Sequence, residues 1–177
     1  LKYRLFGEYP IEDGSLRKGA MIPPPVAPTL AATYPEVESY TRLLTFNTPQ
    51  LFEAGNKKFT EAKGSRADGT IFSMFSLKLV EGDIKTPLKE LNTIAISHSL
   101  AKKYFGNKPA LGETVEVSDD NFIVDAVFED FSPYSHLQMD YFLTLENRIT
   151  YMPQLMADWS WKQLHTYIKL KPGTGTK

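Results

Sequence analysis

The chain has 177 residues and no cysteine, so it is long enough to fold on its own apolar core, and disulfides, zinc–thiolate sites and thiol nucleophiles are excluded. Hydrophobic residues make up 42%, which fits a globular chain and argues against disorder. Twenty basic and twenty-one acidic residues leave a net charge of −1, which gives no electrostatic reason to expect nucleic acid or an anionic membrane surface as partner.

Residues 3–9 read as a short strand, followed by a loop at Asp13-Gly14. The longest uncharged run, residues 19–35, holds five prolines, a density of missing donors and ring clashes that no membrane-spanning helix tolerates. Residues 1–5 are not followed by an apolar stretch and do not read as a signal peptide. Pro23-Pro24-Pro25 predicts extended backbone, and Pro28 suits the first turn of a short helix that Pro35 stops.

Residues 37–46 read as a strand, and residues 52–59 as a hairpin around Gly55-Asn56. Asp68 is expected to cap a helix through Ile71, Phe72, Met74 and Phe75. Residues 93–96 form a strand running into Ser97, a good N-cap for a helix carrying Leu100, Ala101, Tyr104 and Phe105. Lys102 and Lys103 lie near its end, with Gly106 just past it. Residues 115–117 and 122–128 read as a hairpin, with Phe122, Val124, Ala126 and Phe128 on one face by period two. Residues 141–145 form another strand, and Trp159 and Trp161 open a last one through Tyr167, Ile168 and Leu170. Residues 171–177 read as a loop. Strands outnumber helices without alternating with them, so the expected fold class is α+β: a two-lobed domain with short helices packed on mostly antiparallel sheets. One lobe is expected from about 1–75 with 160–177, the other from about 76–159, in a single domain spanning 1–177.

Residue types that carry chemistry are scattered. His98, His136 and His165 show no metal-ligand spacing, and Asp119-Asp120 reads as a hairpin turn rather than a carboxylate pair. Neither a glycine-rich phosphate cradle nor a nucleophile elbow occurs. Phe72, Met74 and Phe75 read as core, and the Trp159/Trp161 pair as packing at a lobe boundary. No catalytic, cofactor-binding or metal-binding residue is assigned, no cofactor is expected, and the residues by themselves do not name a function.

Four blocks in order along most of the chain carry a resemblance. They are residues 25–30 with Tyr34-Pro35-Glu36-Val37-Glu38; Ala67-Asp68 with Phe72 and residues 74–83; residues 92–97 with 100–106 and Leu111-Gly112; and residues 122–130 with Pro133, Ser135, His136 and Leu137. Together they resemble the MacB-like periplasmic core domain of permeases in the FtsX-like ABC transporter family. Ile71, His98 and Asp125-Ala126 depart from the commoner residues at their positions. The resemblance implies a non-catalytic domain between the first two of four transmembrane helices, on the periplasmic side of the bacterial inner (cytoplasmic) membrane. It implies a cytoplasmic ABC ATPase reached through those helices, a second permease copy or paralogue, and a periplasmic adaptor or lipoprotein as partners, with no nucleic acid. The domain would transmit ATP-driven motion and contact cargo or partner proteins. The alternative is a free-standing periplasmic binding or adaptor module; a hydrolase built from scattered Ser, His and Asp lacks any nucleophile context.

Overall fold

The computed structural model describes residues 1–85 and 87–174. In chain order the strands and helices are β1 (Lys2–Arg4), β2 (Gly7–Pro10), β3 (Leu16–Gly19), β4 (Met21–Ile22), α1 (Val26–Thr33), β5 (Val37–Thr45), β6 (Gln50–Ala54) and β7 (Lys57–Glu61). Then follow β8 (Gly64–Ala67), α2 (Ile71–Phe75), β9 (Leu79–Gly82), β10 (Thr93–Ser97), α3 (His98–Phe105), β11 (Thr114–Val117) and β12 (Asp120–Phe128). The last are β13 (Tyr141–Thr144), α4 (Glu146–Tyr151), α5 (Pro153–Met156) and β14 (Leu164–Leu170).

One sheet dominates, in the order β1-β14-β5-β8-β13-β10-β12-β11-β6-β7, with β4 pairing β14 and β9 pairing β12. Strands β2 and β3 form a separate hairpin. Pairing is antiparallel except for β10 with β12 and β8 with β13. The α+β class with mostly antiparallel strands holds. The sheet runs through both segments expected as lobes, since β6 pairs β11 and β8 pairs β13.

Both faces of the middle strands are buried. Tyr141 and Leu143 of β13 face a cluster with Phe52, Ile94, Ile96, Phe122 and the Leu100 and Tyr104 side chains of α3. Phe142 points the other way, into a cluster with Ile71, Phe72, Met74, Leu88 and Phe128. Each such side chain contributes about 1.5–3 kcal/mol when removed from water, so this double layer dominates the stability. A smaller cluster of Leu145, Met156 and Leu164 seats α4 and α5.

Local chemistry explains the turns. Ser118 and Asp119, with φ of 49° and 74°, form a two-residue loop between β11 and β12; two positive φ values define the mirror-image turn that fits strand twist. The turn expected at Asp119-Asp120 thus falls on Ser118-Asp119, and Asp120 opens β12 opposite Val117. Gly55, with φ 59°, does the same at the first loop position between β6 and β7. In α3, Ser97 Oγ accepts from the Leu100 N–H at 3.2 Å, and Gly106 closes the helix at φ 68°. The expected cap, stripe and terminator are all present.

Several expectations are corrected. Residues 3–9 do not form one strand: β1 joins the main sheet and β2 leaves it. The period-two face of residues 122–128 breaks. Ile94 pairs Val124 and Ala95 pairs Ala126, so Asp125 is an extra, bulged residue. Phe122 and Val124 therefore face one core, Ala126 and Phe128 the other. Trp159 and Trp161 precede β14 rather than open it; Trp159 is exposed and Trp161 packs on the Leu164 cluster. Asp68 does not cap α2, whose N-cap is Thr70 without a side-chain bond. Its carboxylate is committed to Arg42 instead. Of the loop expected over 171–177, residues 175–177 lie outside the described residues.

Candidate functional site

A groove of roughly 650 Å³ lies between β5, the start of α2, the segment around Pro87 and α4. Its floor is set by a strand-to-strand ion pair. Arg42 extends from β5 and Asp68 follows β8, and these strands pair at Leu43↔Ala67, which brings the two side chains together. Arg42 Nε donates to Asp68 Oδ2 and Nη2 to Oδ1, both at 2.9 Å, and the Arg42 backbone N–H donates to Oδ2 at 2.8 Å. Nη1 reaches the Pro24 carbonyl at 3.4 Å. Burial works against the guanidinium charge, but the bonds to Asp68 outweigh it and raise the Arg42 pKa. Three of the four lone-pair positions of the carboxylate are engaged, and removing either partner would leave the other's charge buried alone.

Around this floor stand Glu38, Tyr40, Thr70, Lys85, Lys89 and Glu146. Burial, and then the Asp68 charge, raise the Glu146 carboxyl, while Arg42 opposes them. Thr70 Oγ1 donates to the Tyr40 carbonyl and Ser73 Oγ to the Thr70 carbonyl. The groove offers both charge signs and hydroxyls at its walls.

The histidines lie apart from the groove and from each other. His98 is the exposed first residue of α3. His136 is exposed, its ring 5.9 Å from Phe75. His165 on β14 accepts from Arg4 Nη2 at Nδ1, 2.9 Å away. Burial lowers its pKa against the opposing effect of the Ala20 carbonyl, and the Arg4 charge adds to the lowering. Phe72 and Met74 are buried in core and Phe75 packs against it, as expected. Among the described residues, no three His, Asp or Glu side chains come close enough to hold a metal ion. Sequence reasoning missed the Arg42–Asp68 pair. Nothing marks two residues far apart in sequence as partners until the neighbouring strands are known to pair.

The sequence matches no curated protein. Among solved structures, the chain is similar to a domain assigned to a permease protein of Porphyromonas gingivalis: TM-score 0.78 and 26% identity, covering 96% of this chain and 72% of that one. It shares its fold with the periplasmic region of MacB from Actinobacillus actinomycetemcomitans, with TM-score 0.67 and 19% identity over 88% of this chain and 67% of that one. It also shares it with the extracellular domain of the noncanonic ABC-type transporter YknZ from Gram-positive bacteria, with TM-score 0.66 and 10% identity over 98% and 85%. A family model, the MacB-like periplasmic core domain, matches residues 4–177. That family supplies the periplasmic part of membrane-anchored ABC transporter permeases and is not itself catalytic. Among the described residues no helix is long and apolar enough to cross a membrane. With the fold shared and nearly the whole chain matched, this protein belongs to the family of MacB-like periplasmic core domains.

Proposed function

We propose that this domain acts as a lever in an ABC transporter permease, carrying motion driven by a cytoplasmic ATPase to cargo or partner proteins. The observation that supports it is the base of the sheet. β1 and β14 lie side by side, with the Leu170 N–H donating to the Leu1 carbonyl at 2.8 Å. β14 is hydrogen-bonded along its other edge to β5. A displacement applied at this base is passed across the strand ladder to the far edge at β7, because packed layers shift as bodies rather than deform. The two segments read from the sequence as lobes would then move together. No step of catalysis or cofactor binding belongs to this role. The whole permease would anchor the domain at the inner membrane, pair it with a second copy or paralogue, and present its groove to a periplasmic partner.

The test is an insertion. Six Gly/Ser residues placed between the domain and the membrane anchor, on either side, should leave the domain folded but uncouple ATP hydrolysis from transport in the intact transporter. Unchanged coupling would overturn the lever. The groove beside Arg42–Asp68 favours a second reading, a free-standing binding or adaptor module. Fractionation of the native cells decides between them: recovery of the domain only in membranes supports the permease, recovery in the periplasmic extract the adaptor.

A further inference from the structure

The main sheet ends at β7, and that edge is open. β7 pairs only with β6, in unbroken register from Ala54↔Lys57 to Gln50↔Glu61. In an antiparallel ladder, opposed pairs alternate between bonded to each other and turned away from each other. On β6 the Leu51 carbonyl accepts from the Ser118 N–H at 2.9 Å, on the side away from β7. Its opposite number Thr60, and by alternation Lys58 opposite Glu53, therefore turn their backbone N–H and C=O groups outward. Both residues are exposed, and these groups meet no protein partner among the described residues.

Sheet edges are normally blunted against foreign strands. The other edges of this sheet are. The outer side of β14 is shared by the short β1 and β4, with the β2–β3 hairpin between them. β9 is irregular against β12, and its Glu81 is bonded to the Ala110 and Leu111 N–H groups. β7 has neither a register shift nor a proline. Its lysines are drawn aside: Lys57 Nζ donates to the Lys103 carbonyl at 2.6 Å, and Lys58 Nζ is bonded to Glu53 on β6.

The surroundings of the edge indicate what fits it. Phe59 is half-exposed, edge-on to Tyr104 of α3 at 6.0 Å, with Lys103 Nζ 4.5 Å from its ring centre. Glu61 is buried and taken by Lys103 and the Tyr104 hydroxyl, and Glu53 is taken by Lys58. Lys57 and the exposed Lys63, just past the strand, form no ion pair among the described residues. A chain of net charge −1 thus presents an open strand flanked by uncompensated positive charge.

We propose that β7 accepts an acidic, extended segment of a partner protein as an added strand of the sheet. The segment's backbone bonds the outward groups of Lys58 and Thr60, which supplies affinity without regard to sequence. Its side chains supply the selection: an apolar residue beside Phe59, with carboxylates on either side of it facing Lys57 and Lys63. A second copy of this chain fits worse, because its β7 brings the same lysines to the contact. The assignment does not depend on the lever described above.

The experiment titrates the 177-residue chain with the capped peptide Glu-Thr-Val-Thr-Glu, following backbone amide resonances by NMR, with Lys-Thr-Val-Thr-Lys as control. The acidic peptide reads the same in either strand direction, with its valine and both glutamates on one face. It should move the Lys58 and Thr60 resonances saturably and bind about tenfold more tightly than the control. Lys57→Gln combined with Lys63→Gln should remove most of that preference. Thr60→Pro deletes an outward N–H without touching the ladder to β6, and should abolish binding of the acidic peptide. If that variant does not fold, the acidic peptide methylated at every backbone nitrogen replaces it, and should not bind the unaltered chain. Lys58 and Thr60 resonances indifferent to the acidic peptide, equal binding of the two peptides, or binding that survives Thr60→Pro or backbone methylation would each overturn the site. So would movement of the same resonances with protein concentration alone, which marks a second copy as the occupant.

Discussion

Arg42 and Asp68 meet through three hydrogen bonds of 2.8–2.9 Å, two from the guanidinium and one from the Arg42 backbone N–H. Their side chains are 7% and 11% exposed, so water replaces little of what either loses. Asp68→Ala should destabilise the chain by about 3 kcal/mol, because it strands a buried guanidinium. Urea denaturation measures this; a change below about 1 kcal/mol, the range of surface pairs, would show the pair to be solvated.

Ser97 closes the first turn of α3 by accepting from the Leu100 N–H. Ser97→Ala should cost about 1 kcal/mol. The helix has eight residues, too few to persist without its packing, so its buried Leu100 and Tyr104 should keep it formed in the variant. A thermal melt identical to wild type, with the helix intact, would refute the cap.

Asp125 gives the chain a pH response. Burial raises its pKa to about 6 from 3.8, against the Leu88 N–H that donates to Oδ2 at 2.6 Å. The folded state therefore holds a proton that the unfolded state has lost between these two values. Stability should fall as pH rises from about 4 to about 6, and level off above. Asp125→Asn should remove this component, since the amide oxygen still accepts from Leu88 without ionising. The check is the difference in Tm between wild type and variant at pH 4 and pH 7; a constant difference would contradict it.

The isolated chain should be monomeric. Phe52, Phe72, Phe122, Phe128, Tyr141 and Phe142 are fully buried inside the two main cores, and a lever that separates and rejoins in each cycle is served by weak contacts. Membrane tethering would supply roughly millimolar effective concentration in the transporter. Sedimentation across a concentration series should give one species of about 20.0 kDa. A dimer persisting at nanomolar concentration would contradict the lever.

The parts of this fold written in local chemistry were legible: the Ser97 cap, the Gly106 stop, the Ser118-Asp119 turn and the Gly55 turn. Strand β8, Gly64–Ala67, was not, because all four residues are buried and no alternation marks them. The bulge at Asp125 was also hidden: one inserted residue reverses the faces beyond it, and periodicity alone extends the pattern through it. The groove was the least legible, since it is assembled by elements that meet across long stretches of chain.

The position of β14 between β1 and β5 has a consequence for biogenesis. Strand β1 finds its neighbour only in β14, and the Leu1–Leu170 contact beside this pairing joins residues 169 positions apart along the chain. Until Leu164–Leu170 has been synthesised, β1 has no ladder to join and β5 lacks one of its two neighbours. Such remote pairing folds slowly, because a long loop must close before its contacts form. This edge of the sheet therefore closes last, after the strands at the opposite edge can already have paired.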